Sequence, residues 1–303
     1  MQDMFNKFRH QMFTKYNDAR SFFIKNPNCL INSEKYISDT ITKILNDHMK
    51  DITKDFNETS YLYPFWANFK PLDRGRDPKH DQIPWIEVGE QTVGDKIKRV
   101  ADDYFEKITD TGVPIGADHR FVVKSKKLLS LLQITDSVMI FLDTKTVGPR
   151  DDKDEVVASP YQVSGDGIWT EENKNVQNHL VLATGKKKTH DFYPAVSPLL
   201  VTSDNQVLPI IHIFIKPVYT MNNLNSKGTG QPIKEFKLIT IPNGLLLTVN
   251  PNYLKQYPHL LYPGKDTKNK NLIKRRARIN ADILKKIASW RFKIINPTNL
   301  IDE

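Results

Sequence analysis

Ile134-Thr-Asp-Ser-Val-Met-Ile-Phe-Leu-Asp-Thr-Lys145 runs into Thr146-Val-Gly-Pro149. Val138 to Leu142 is an unbroken apolar run, rich in β-branched and aromatic types and closed by Gly148-Pro149, which predicts a strand buried on both faces. Successive side chains on a strand alternate between faces, so Asp143 and Lys145 project together while Thr144 points the other way. The strand therefore ends by putting an acid and a base in one place.

Working outward, Gly112-Val-Pro-Ile-Gly-Ala-Asp118-His-Arg-Phe-Val-Val-Lys124 reads as a turn entering a strand, with Asp118 at its start. Leu208 to Pro217 is a second buried strand, and His212 within it is expected to be a core histidine. Glu235–Ile241 and Leu245–Asn250 around Pro242-Asn-Gly244 predict a hairpin. The N-terminal third reads as helical: Phe5, Phe8, Met12 and Tyr16 recur at helical spacing. A second helix is expected with Ser33 as its N-cap and Ile37, Ile41, Ile44, Leu45 and Ile52 on one face. Both are expected to pack in the core or a dimer contact. From Tyr61 to Glu90 prolines and glycines break regular structure around Arg74, Arg76, Lys79 and His80, a basic loop that is either a surface connection or a nucleic-acid contact. Asp166 to Phe192 is expected to hold loops and a short helix. The sum is an α/β fold, a mixed central sheet flanked by helices. One domain over residues 1–303 is expected, helical over about 1–60 and basic over about 251–303.

Composition narrows the function. Nothing approaches the roughly 20-residue apolar run of a membrane helix, and the first residues show no secretion signal. The single cysteine, Cys29, excludes an internal disulfide and a thiolate metal cluster, which fits a reducing cytoplasm. Of a net charge of +9, a surplus of eight lies from Pro251 to Glu303, where twelve Lys and Arg face four Asp and Glu. These cations alternate with Tyr253, Tyr257, Tyr262, Ile279, Ile283 and Trp290, so a folded element presents them. A polyanion is the natural partner.

An acid two residues before a lysine occurs six times in the chain, so the triplet alone says little. Only Asp143/Lys145 lies at the exit of an apolar strand, where it is either a buried structural salt bridge or a catalytic pair. If Asp118 folds back beside it, two carboxylates and a lysine share one site. Paired carboxylates suit the hard, octahedral demand of Mg²⁺. With such an ion a site of this kind activates water and stabilises charge on a phosphodiester. Other templates fail: Gly185-Lys-Lys-Lys-Thr lacks the upstream glycine of a phosphate-binding loop, Gly165-Asp-Gly167 and Gly228-Thr-Gly230 are isolated pairs, and the histidines are not at zinc-ligand spacing.

Pro64-Phe-Trp66, Pro71-Leu-Asp-Arg-Gly75, Asp81-Gln-Ile-Pro-Trp-Ile-Glu-Val-Gly-Glu90, Thr135-Asp-Ser137, Val147-Gly-Pro-Arg-Asp151, Gln162-Val-Ser-Gly165, Phe214-Ile-Lys-Pro217, Pro242-Asn-Gly-Leu245 and Pro263-Gly-Lys-Asp266, in this order, resemble the BglI family of type II restriction endonucleases, within the PD-(D/E)xK nucleases. The resemblance implies a Mg²⁺-dependent homodimer that cuts duplex DNA at the interrupted palindrome GCC(N5)GGC, in a host expected to carry a cognate DNA methyltransferase. It puts the catalytic acids and lysine on Asp118, Asp143 and Lys145, with Asp118 and Asp143 as metal ligands. A further acid falls on Glu90, with Glu87 three residues before it. Ala117 stands where the family has proline. Base reading in the major groove falls on Lys265, Thr267, Arg276 and Arg278. Thr267 departs from the family's aspartate, and Asp266 beside it is the candidate substitute. Other nucleases of the superfamily, such as repair or junction-resolving enzymes, and a non-catalytic DNA-binding protein are the alternatives.

Overall fold

The structure, a computed structural model, describes residues 2–61, 65, 88–220, 232–264 and 268–297. Helices lead the chain: α1 (Gln2–Lys25), α2 (Pro27–Asp47) and α3 (Met49–Tyr61). Tyr16 of α1 is buried, whereas Phe5 is exposed. The expected N-cap at Ser33 is incorrect. Helix α2 opens at Pro27, whose missing N–H costs nothing in a first turn, and Ser33 is buried inside it with its hydroxyl bonded to Leu30 O at 2.9 Å. Leu30, Ile37, Ile41, Ile44 and Leu45 do form one buried face. Ile52 is buried from α3, because the helix breaks at His48.

After a π-turn over Glu90–Gly94 come α4 (Asp95–Val100), β1 (Lys107–Asp110), β2 (His119–Lys124), α5 (Lys126–Leu132) and β3 (Ser137–Thr144). The Ser125 side chain caps α5 by accepting from Lys127 N. Then follow β4 (Glu155–Ala158), β5 (Val181–Thr184), β6 (Thr189–Phe192), β7 (Leu199–Val201), β8 (Val207–Tyr219) and β9 (Ile233–Ile241). The chain closes with α6 (Gly244–Thr248), α7 (Tyr253–Gln256), β10 (Leu261–Pro263), β11 (Ala277–Asn280), α8 (Ala281–Ile287) and β12 (Phe292–Ile295).

The central sheet runs β1-β2-β3-β8-β9-β12, with β7 on β8; β3 and β8 are parallel and the other neighbours antiparallel. Helix α1 packs on β7 and β8, and α2 on β8 and β9. The expected mixed sheet flanked by helices is the observed one. A second sheet, β10-β11-β4, is built from the basic C-terminal region and the segment after β3.

All eight positions of β3 are buried. Val138, Ile140 and Leu142 enter the main core, while Met139 and Phe141 join a smaller cluster on the opposite face with Ala117, Val196, Leu208 and Ile210. Each such side chain contributes about 1.5–3 kcal/mol of burial, enough to hold a charged residue at the strand's end. His212 is buried with its ring edge on Phe141, and burial pushes its pKa down to about 3, so it is a neutral core histidine as expected.

Two further expectations fail. Pro242-Asn-Gly244 is a helix start and not a hairpin turn: Asn243 Oδ1 accepts from Leu245 N at 3.0 Å, its amide donates to Pro198 O and Ile210 O, and Leu245 to Leu247 are buried in α6. A run of leucines carries no period-two signal, and tertiary hydrogen bonds to Asn243 settled the choice. Between Asp166 and Phe192 the described residues hold no helix; β5 and β6 pair there instead, joined by a Gly185 N to Lys188 O bond of 2.8 Å. Their four-residue runs, with Ala183, His190 and Phe192 buried, are too short for a period to show.

Candidate active site

Strands β2 and β3 pair with His119 opposite Leu142, so Asp118, one residue before β2, arrives beside the end of β3. Asp118 Oδ2 accepts from Thr144 N at 2.8 Å, in effect extending the ladder with a side chain. The turn before it needs Gly116, whose φ is +115° and where a Cβ would lie 2.3 Å from the Phe141 ring. Ala117 is buried, and its carbonyl accepts from Arg120 Nη1 at 2.9 Å.

Asp143 is only 1% exposed. Its Oδ1 accepts from Gln162 Nε2 at 2.6 Å. Its Oδ2 lies against the Lys145 ammonium in an ion pair, but in a direction that leaves this buried oxygen without an aligned donor. Burial raises the Asp143 pKa, the Lys145 charge lowers it, the Asp118 charge raises it, and the balance stands at about 6. Lys145 follows β3 with its N–H on Ile215 O at 2.8 Å, and a third of its side chain remains exposed. Asp143, Lys145 and Asp118 are thus brought together as the alternation and the fold-back required.

Sequence reading missed Gln162. It closes a short turn in which Ser159 N donates to Gln162 Oε1 at 2.9 Å, completing a capping box. With the carbonyl end occupied, the amide NH₂ has to face Asp143. The Ser-x-x-Gln spacing of Ser159 and Gln162 was the available signal; only the fold showed what the amide meets.

Glu90 opens the π-turn, and the preceding Gly89 lies so close to the exit of β3 that a Cβ there would fall 1.7 Å from Thr146 Oγ1. Glu90 is thereby placed over the Thr144–Thr146 segment. Among the described residues, no three acidic, histidine or cysteine side chains gather as a metal site. The donor set is two adjacent carboxylates, mutually repelling, one with a buried oxygen lacking an aligned donor. That set fits a hard divalent cation completed by other oxygens.

On the second sheet, Ala277 and Ile279 point inward, while Arg276 is exposed and Arg278 stands on the same outer face in part-burial. Arg278 pairs with Glu155 of β4, which also accepts from the Tyr262 hydroxyl. Arg278 is therefore held across the sheet. Arg74, Arg76, Lys79 and Glu87, and likewise Lys265, Asp266 and Thr267, lie outside the described residues.

The family model of restriction endonuclease BglI matches residues 11–295. The type II restriction enzyme BglI of Bacillus subtilis is 40% identical over 289 residues, covering 94% of this chain and 96% of that one. The crystal structure of restriction endonuclease BglI bound to its DNA recognition sequence superposes with a TM-score of 0.88 at 40% identity, over 96% of this chain and 98% of that one. Tetrameric restriction endonuclease SfiI bound to cognate DNA has a TM-score of 0.57 at 15% identity, over 88% of this chain and 84% of that one, a likeness of fold alone. With Asp118, Asp143 and Lys145 converging at the end of a sheet that these enzymes share, the chain belongs to the restriction endonuclease BglI family.

Proposed function

We propose that this endonuclease is a cytoplasmic, homodimeric enzyme of a restriction-modification system, working as one domain. It hydrolyses duplex DNA with Mg²⁺ at GCC(N5)GGC or a close variant. The observation that carries this is the Asp118–Thr144 hydrogen bond, which sets two carboxylates and a lysine at one strand end. Asp118 and Asp143 would hold the cation, which when bound supplies neutralisation of the phosphate and a more acidic water. Gln162 keeps the Asp143 carboxylate turned toward its neighbour. Lys145, part-exposed, directs its ammonium at the charge that grows on the phosphate oxygens as the water oxygen bonds to phosphorus and the leaving oxygen departs.

Recognition is assigned to the second sheet. Arg276 and Arg278 suit bidentate contact with guanine O6 and N7, and Lys265, Asp266 and Thr267 are assigned to base reading with them. Arg74, Arg76 and Lys79 are assigned to the DNA backbone, and Glu90 to support of the active site. The hydroxyl of Thr267 in place of a carboxylate alters reading at one base pair, at about 1–3 kcal/mol for a lost base contact. Digesting a plasmid of known sequence with Mg²⁺ and sequencing the ends tests the whole reading. Discrete ends at one interrupted palindrome are expected; random nicking would refute it.

A further inference from the structure

Residues 151–155, which lead from Lys145 into β4, are gripped by two lysines of the central sheet. Lys216 of β8 and Lys237 of β9 stand opposite each other in register, and both are buried. Lys216 Nζ donates to the main-chain carbonyls of Asp151 at 3.1 Å, Lys153 at 2.6 Å and Glu155 at 3.3 Å. Lys237 Nζ reaches the carboxylates of Asp152 at 2.6 Å and Asp154 at 2.9 Å. One lysine thus takes the odd-numbered carbonyls and the other the even-numbered side chains, an arrangement that fixes both the course and the twist of the segment. Burial, then the facing Lys237 charge, pushes Lys216 down to about 8. An ammonium held at such cost is retained only because its three N–H groups meet three carbonyls.

The segment joins the two halves of the proposed site. Lys145 precedes it, and Glu155 at its end holds Arg278 and Tyr262. A cavity of about 170 Å³ between them is lined by Lys145, Asp151, Glu155, Lys216 and Arg278, among others.

We propose that Lys216 and Lys237 are positioning residues that fasten the base-reading sheet to the catalytic strand, so that correct reading of DNA sets Lys145 and Asp143 for cleavage. The proposal rests on the reading of β11 as the base-reading strand. Its prediction is a split between binding and cleavage.

The test uses the full-length protein and the duplex that the wild type cuts. Lys216→Met keeps the side-chain length and removes the three carbonyl bonds. The pair Asp152→Asn and Asp154→Asn loosens Lys237 from part-exposed positions and keeps the test decidable if Lys216→Met does not fold. Affinity is measured with Ca²⁺, and single-turnover cleavage is started with Mg²⁺ at saturating enzyme. Expected are a Kd within about threefold of wild type and a cleavage rate constant lowered at least tenfold, roughly 1.4 kcal/mol or more. Folded variants with unchanged rate, or with rate and affinity falling in the same proportion, overturn the clamp alone. A wild type that cuts at random overturns the restriction reading, and the coupling role with it.

Discussion

Replacing Asp143 by Asn removes a charge that the folded protein has buried without full compensation, so metal-free enzyme should become more stable as it loses activity. The magnitude follows from the carboxyl pKa, raised from 3.8 to about 6. A difference of about two units at roughly 1.4 kcal/mol each gives up to about 3 kcal/mol. Because the folded pKa lies above the unfolded one, the folded wild type binds the extra proton: the contribution of Asp143 to stability is fully present below about pH 4 and is lost as pH rises through about 6. The Asp143→Asn variant lacks this dependence, so the two proteins should differ little at pH 4 and most above pH 7. For 303 residues, at about 2.1 cal/mol/K of unfolding entropy per residue, 3 kcal/mol corresponds to about 5 °C in Tm. The assay is thermal unfolding in chelator across pH, repeated with Mg²⁺. Added Mg²⁺ should stabilise the wild type and leave the variant nearly unmoved. A variant less stable than wild type at pH 7.5 without metal would instead make Asp143–Lys145 a stabilising salt bridge.

Lys145→Ala should abolish cleavage while specific binding, measured by gel shift, survives; loss of fold by circular dichroism would argue for a structural pair instead. Gln162→Leu should raise the Mg²⁺ concentration needed for half-maximal cleavage by several-fold and change DNA affinity little, since the side-chain bonds it removes reach Asp143 and, within its own turn, Ser159 N. Arg276→Ala should weaken specific binding by about 1–3 kcal/mol and random-sequence binding far less; an equal loss on both would demote it to a phosphate contact. Glu34→Ala should cost about 3–5 kcal/mol in urea unfolding, because it strands the fully buried Arg291, and combining it with Arg291→Met should recover part of that loss.

What was legible in the sequence was what depends on neighbours along the chain. The apolar run Val138–Leu142 announced a strand buried on both faces, and alternation put Asp143 and Lys145 on one side. Periodicity found α1 and the buried face of α2 but misplaced its start, since Ser33 looks like a cap to a reader who cannot see that it is buried. Asn-Gly at 243–244 read as a turn, whereas hydrogen bonds to Pro198 and Ile210 made it a helix cap.

The pair Asp143 and Lys145, the mixed α/β class and, through motifs distributed along the chain, the family are all written in the order of the residues. Tertiary structure alone decided that Asp118 meets Thr144 N, that Gln162 turns its amide to Asp143, that Glu34 finds Arg291, and that Lys216 and Lys237 divide one segment between them. Each of those contacts joins residues far apart in the chain. A dihedral preference or an alternation of side chains acts over a few residues, but a buried charge takes whatever partner the register of the sheet delivers to it.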